Sequence, residues 1–269
     1  LVVVLQLTIA RAGAQTPGSG SAGSPVPPGV LAAISQIVRA DYESDLRRLG
    51  ELYDSIPVAA DTPQMEARLR YWKGFAAWRR AINGFNESVA LSELAADTRR
   101  AIGEFERAVQ LDPQYVETKI ALISCYQLLT FFGSDAGQVK ELVGKFVPLL
   151  KEAAAIAPDN PRLLWVRGQG EWYTPPGAPA GEVARRQSAA MSTYRRGLDL
   201  ARRPADRRDD LEPSWAEAEL LMNLAWSSLN GVNRDLAAAE SYARGALRLV
   251  PHWRYVRDFL LPQILAAKG

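Results

Sequence analysis

The chain has 269 residues, enough for one or two domains with a sizeable core, and its 48% hydrophobic and 23% charged residues are ordinary for a globular protein. Its 32 basic and 30 acidic residues leave a formal +2, so charge gives no reason to expect nucleic acid or an anionic membrane as a partner. A single cysteine, Cys125, and a single histidine, His252, exclude an intrachain disulfide, a Cys/His metal cluster and any histidine-based catalytic set not built on His252.

The first fourteen residues, LVVVLQLTIARAGA, form an apolar run closing on Ala12-Gly13-Ala14. That small-x-small ending has the form of a signal-peptidase site with Gln15 as the first mature residue, so residues 1–14 are expected to be the remnant of a signal peptide and the protein to be exported, to a bacterial periplasm or beyond. The charged n-region and initiator Met are missing, so the sequence is expected to begin inside that signal. Residues 15–29, with TPGSGSAGSPVPPG, are too poor in apolar side chains to offset the entropy of ordering and are expected to be a disordered linker. No later run approaches membrane-spanning length, so the mature chain is expected to have no transmembrane segment.

From Val30 onward one helical domain is expected, over residues 30–269. Leu31, Ile34, Ile37, Val38, Tyr42, Leu46, Leu49, Leu52 and Tyr53 recur at three- and four-residue steps and predict one amphipathic helix from Val30 to Ile56. No stretch alternates apolar and polar residues long enough to make a strand. The fold class is all-α.

Beyond that point the sequence repeats itself. Ala101, Phe105, Ala108 and Pro113 are spaced by four, three and five residues; Phe146, Leu150, Ala153 and Pro158 share those gaps, as do Ala239, Ala243, Ala246 and Pro251. Ala190, Tyr194 and Gly197 follow the same spacing, with Arg202 at the proline position and Pro204 two residues on. Gaps of four and three place small side chains on one helical face, where a neighbouring helix can approach, and the proline just past the helix end stops it.

This pattern resembles the second helix of a tetratricopeptide repeat. First-helix signatures are looser: Gly74 lies in YWKGFAAW, Leu122 and Tyr126 in KIALISCY, Gly168 in LLWVRGQGEW, and Leu224 and Ala225 in MNLAWSS. Together they give repeats at about 64–113, 114–158, 159–204 and 213–251, with a capping helix at 252–266 that Pro262 should kink or end. The resemblance implies an α-solenoid of helix hairpins with an N-terminal helix and a C-terminal cap. Spacings near 45 residues exceed the family period of about 34. The extra residues must lengthen helices or sit in the turns GFNESVA, FFGSDAGQ, YTPPGAPAGE and SLNGVNRD, all on one edge of the stack.

In such folds first helices line the concave surface, which implies a groove bearing Trp72, Trp78, Arg79, Asn83, Arg167, Gln169, Glu171, Trp172, Tyr173, Asn223 and Trp226. Aromatic and Arg side chains are those that concentrate binding energy at interfaces. The expected function is a non-enzymatic exported scaffold or adaptor holding a protein or peptide in that groove. The alternative is a small-ligand-binding helical protein of a solute transporter, with a hydrophobic ligand among Trp72, Trp78, Trp172 and Trp226. No cofactor, metal or nucleic acid is expected. Glu171, beside two aromatics, is the one carboxylate whose setting could suit an acid catalyst, and no Gly-rich phosphate loop or nucleophile elbow accompanies it.

Overall fold

The computed structural model describes residues 26, 28–132, 135–175, 177–203 and 210–269. Residues 1–14, most of the linker at 15–29 and the end of the third repeat at 204 lie outside the described residues. The described residues form helices and turns without a strand: α1 (Val30–Tyr42), α2 (Leu46–Ser55), α3 (Pro63–Asn86), α4 (Leu91–Leu111), α5 (Val116–Phe131), α6 (Ala136–Ile156), α7 (Pro161–Trp172), α8 (Ala180–Ala201), α9 (Ala216–Asn230), α10 (Leu236–Leu249) and α11 (Leu261–Ala267). The helices pack in sequential hairpins, α3/α4, α5/α6, α7/α8 and α9/α10, with α1/α2 as a shorter leading pair. The result is an all-α solenoid. Local chemistry sets the helix starts. Thr62 accepts from Met65 N–H ahead of Pro63, Asn160 accepts from Arg162 N–H ahead of Pro161, and Asp235 accepts from Ala238 N–H.

The stretch from Val30 to Ile56, expected as one helix, is two. Ser44 adopts a left-handed backbone (φ 56°) and Asp45 caps α2 by accepting from Arg48 N–H at 2.9 Å. The apolar spacing runs on across this break because Tyr42 and Leu46 are four residues apart. A Ser-Asp cap signal therefore outweighs an unbroken stripe.

The second helices interlock with the first through small residues. Ala101, Phe105, Ala108, Ala153, Ala190, Tyr194, Gly197, Ala239, Ala243 and Ala246 are buried, while Phe146 and Leu150 are half-buried. A Cβ on Gly74 would stand 2.7 Å from Phe105, and one on Gly168 would overlap the Tyr194 ring, so each glycine makes room for the aromatic of its own repeat. Pro113, Pro158 and Pro251 follow helix ends of one geometry. The residue before each proline has left the helical region, at φ/ψ of −141/88, −143/75 and −133/81°, and its N–H closes on the carbonyl of Ala108, Ala153 or Ala246. Proline forces its predecessor out of the helical region. Most of the extra repeat length lies in the helices, which reach 24 residues in α3, 21 in α4 and α6, and 22 in α8.

At the C-terminus, Pro262 does not stop the chain's helical course, since Leu260 and Leu261 both keep helical backbone angles. The helix widens into a π-helical stretch, Tyr255–Leu260, directly ahead of α11, and this looser winding accommodates the missing N–H. Val256, Leu260 and Ile264 are fully buried along one face and cover the end of the stack, whereas Phe259 is exposed and stacks on Tyr255.

The solenoid closes on itself. Trp72 Nε1 donates to the Leu211 carbonyl at 2.8 Å, and Trp215 Nε1 donates to Tyr71 Oη at 3.3 Å. At the far end the Trp253 ring meets Tyr42 at 4.9 Å and Arg254 pairs with Glu87 at 3.1 Å.

Candidate functional site

The concave side of the first helices is a solid aromatic wall. Trp78 lies 6.1 Å from both Trp165 and Trp215, which are 5.2 Å apart, and Phe75 and Trp72 continue the contact along α3. Such edge-to-face pairs add about 0.5–1.5 kcal/mol each beyond area burial. The ion group beside them is buried too. Arg79 Nε donates to Asp41 of α1 at 2.7 Å and Arg79 Nη2 to Glu219 of α9 at 2.5 Å, while Asn83 Nδ2 donates to the Asp41 carboxylate at 2.8 Å. Two carboxylates raise the guanidinium's affinity for its proton despite its burial, and burial holds the Glu219 carboxyl above its ordinary range.

This corrects the expected groove. Trp72, Trp78, Arg79 and Asn83 are at most 3% exposed and belong to the core. The physical reason is closure: the first helices of the first and fourth repeats face each other, so side chains that would line an open solenoid pack together. The four-tryptophan pocket meets the same obstacle. Trp72 and Trp78 are buried, whereas Trp172 and Trp226 pair with each other at 5.5 Å on an outer edge.

That edge carries the remaining candidates. Where first helices end, an aromatic stands at or next to the last residue of α3, α5 and α7, as Phe85, Phe131 and Trp172, and Trp226 lies about one turn before the end of α9 at Asn230. The rings bridge from repeat to repeat: Phe85 to Phe132 at 6.5 Å, Phe131 to Tyr173 at 6.1 Å, and Trp172 to Trp226 at 5.5 Å. Phe85 and Phe131 are 60% exposed, Tyr173 50% and Trp226 36%, so the three pairs form a half-open apolar strip across all four repeats. Gly231 is part of the construction, because a Cβ there would meet the Trp172 ring at 3.3 Å and the Ser227 carbonyl at 2.8 Å. Sequence reasoning missed Phe85, Phe131 and Phe132. Their signal was an aromatic beside each of the first three turns, with Trp226 one helical turn short of the fourth.

Polar candidates near the strip are engaged locally. Glu171 accepts from Arg167 Nε at 2.7 Å and from Thr193 Oγ1 at 2.6 Å, which ties α7 to α8. Both of its oxygens are thereby engaged within the hairpin. Gln169 and Asn223 are half-buried, and Asn223 Nδ2 has no hydrogen-bond partner. Two open hollows lie elsewhere, one along α8 at Ser192, Arg195, Asp199 and Arg203, the other between α2 and α4 around Arg80. Neither includes a groove candidate. Among the described residues no three His, Cys, Asp or Glu side chains gather as a metal would require, and no helix is long and apolar enough to cross a membrane.

Among solved structures, a thermophilic TPR protein of Thermus thermophilus matches with a TM-score of 0.50 at 16% identity, over 88% of this chain and 97% of its own. The likeness is one of fold: the chain is a tetratricopeptide-like α-solenoid. No protein-family profile matches the sequence, and no curated protein does.

Proposed function

We propose that the protein is an exported, non-enzymatic scaffold that holds an extended, uncharged segment of a partner protein along its aromatic edge. The observation that carries this reading is the set of three ring pairs, Phe85–Phe132, Phe131–Tyr173 and Trp172–Trp226, which crosses every repeat junction while staying half-exposed. Exposed apolar patches of this continuity are characteristic of interaction surfaces. Charges beside the strip are matched within the protein, as Arg167–Glu171, Arg186–Glu182 and Arg254–Glu87. A partner segment without charge, rich in proline or other apolar residues, fits a row of ring faces and edges that has no ionic demand of its own. Export rests on the apolar leader, its Ala-Gly-Ala ending and the Gly/Ser/Pro linker.

Panning a random peptide display library on the folded protein tests the binding reading. Enriched peptides should be uncharged and should lose binding to a Phe131→Ser/Tyr173→Ser variant with unchanged helical circular dichroism. Enrichment of charged peptides, or of peptides indifferent to both substitutions, would contradict it. For export, the mass of the protein purified from a bacterial periplasm should begin at Gln15; retention of residues 1–14 in the cytoplasm would refute that part.

A further inference from the structure

We propose that the closed solenoid is a latched state, with the α6/α7 junction as its hinge and the side chains joining α1 and α3 to α9 and the C-terminal segment as its latch; release of the latch opens the ring and uncovers the wall of Trp78, Trp165 and Trp215. The two sides of the ring are built differently. Second helices pack closely on the following first helix at α4/α5 and α8/α9, but α6 scarcely touches α7. Of α6 only Leu142 and Ala153 are buried. A pin remains at that junction, because Glu117 of α5 accepts from Asn160 Nδ2 at 2.6 Å and from the Arg162 guanidinium at 2.5 and 2.6 Å. The α5/α7 contact and the Phe131–Tyr173 pair hold the same side, so the junction is joined on its first-helix face and nearly free on its second-helix face, which is the construction of a pivot.

Opposite the hinge, α3 and α9 do not pack backbone against backbone as neighbouring helices do. Long side chains bridge α3 to α9 and to the residues just before it: Arg79 to Glu219, Trp72 to the Leu211 carbonyl, and Trp215 to Tyr71. Arg254–Glu87 and Trp253–Tyr42 complete the closure. Two features hold this latch away from an energetic optimum. Arg79 is one cation between two carboxylates, Asp41 and Glu219, all of them at most 3% exposed, so the closed state buries one excess negative charge. Closure also leaves Trp78 Nε1, Trp165 Nε1 and Asn223 Nδ2 buried without a hydrogen-bond partner. Opening would hydrate all three donors. Shape and ring packing hold the ring shut while charge and unpaired donors press it open, as in an element with two arrangements of similar energy.

The test is an Arg79→Lys variant, which keeps the charge but loses the forked reach to both carboxylates, with Arg254→Ala as a milder second variant. Acrylamide quenching of tryptophan emission reads the wall, X-ray scattering reads the radius of gyration, and far-UV circular dichroism reads the helices. The expected result is a rise of about two-fold in the quenching constant and a larger radius with helical signal unchanged, as for a sub-global opening. A short bismaleimide tether in a Glu87→Cys/Arg254→Cys background should return Arg79→Lys to wild-type quenching; Cys125, being buried, is shielded from the reagent. Wild-type quenching in both variants overturns the proposal. So does quenching that rises only together with loss of helical signal, or that the tether fails to suppress.

Discussion

Single residues show how little tolerance the hairpin interiors have. Gly168 faces the Tyr194 ring, which is 3% exposed and cannot retreat, whereas a Cβ on Gly103 of α4 would meet open space. The same substitution should therefore act with opposite sign: Gly168→Ala is expected to lower stability by about 1–3 kcal/mol through overpacking, and Gly103→Ala to raise it by about 0.5–1 kcal/mol through helix propensity. Urea midpoints at constant slope check both. Glu219 gives a pH dependence with a definite sign. Burial raises its carboxyl above the ordinary value of 4.5, so the folded protein binds that proton more tightly than the unfolded chain does. Its contribution to stability falls as pH rises from 4.5 through the raised value, and is recovered on acidification across the same window. Urea denaturation from about pH 4 to 8 should show this slope in the wild type and lose it in Glu219→Gln; identical slopes would remove the assignment. The tryptophans mark the limit of legibility at this scale. A Trp at helical spacing reads equally as groove or core, and only the neighbours of Trp78, contributed by α7 and the residue before α9, decide the matter.

At the scale of elements, the repeated four-three-five spacing was the most informative pattern in the chain. It is local, it recurs, and each residue in it has a steric role within one hairpin, which is why the helix ends at Asp112, Ala157 and Val250 share one geometry. The break between α1 and α2 was hidden, because the apolar stripe keeps phase across Asp45. Elements also differ in how firmly they are held. α6 begins with a reciprocal capping box between Asp135 and Gln138, yet buries little of its length. Its amides are expected to exchange through a lower-energy opening than those of α3, whose Trp72, Phe75 and Trp78 are buried. Asp135→Ala should cost about 1 kcal/mol and should speed exchange at the start of α6 more than in any other helix. Uniform exchange across α3 and α6 would contradict this ranking.

For the whole molecule, closure was not legible in the sequence. Trp72 and Leu211 are 139 residues apart and Arg79 and Glu219 are 140, and no periodicity within a repeat encodes which first helices will face each other. The expected groove failed for that reason, while the edge of turns carries an aromatic strip because its position follows from hairpin geometry alone. Closure also makes the C-terminal segment matter beyond its role as a cap. Removing residues 252–269 takes away Trp253, Val256, Leu260 and Ile264, each at most 3% exposed. The expected loss is on the order of 5 kcal/mol from apolar burial, together with a rise in tryptophan quenching, measured by urea titration followed with both probes. A truncated chain as stable as the parent would show that the stack does not depend on its closing end.

An open solenoid can gain or lose a hairpin by duplication, since each unit meets only its neighbours. Here the partner of Arg79 lies on α9, three hairpins further on. Inserting or deleting one unit would move Glu219 away from the guanidinium, Leu211 away from Trp72 and Trp215 away from Tyr71. The number of repeats is thereby tied to the contacts that close the ring, and descent in this lineage should proceed by changes within hairpins and not by changes in their count.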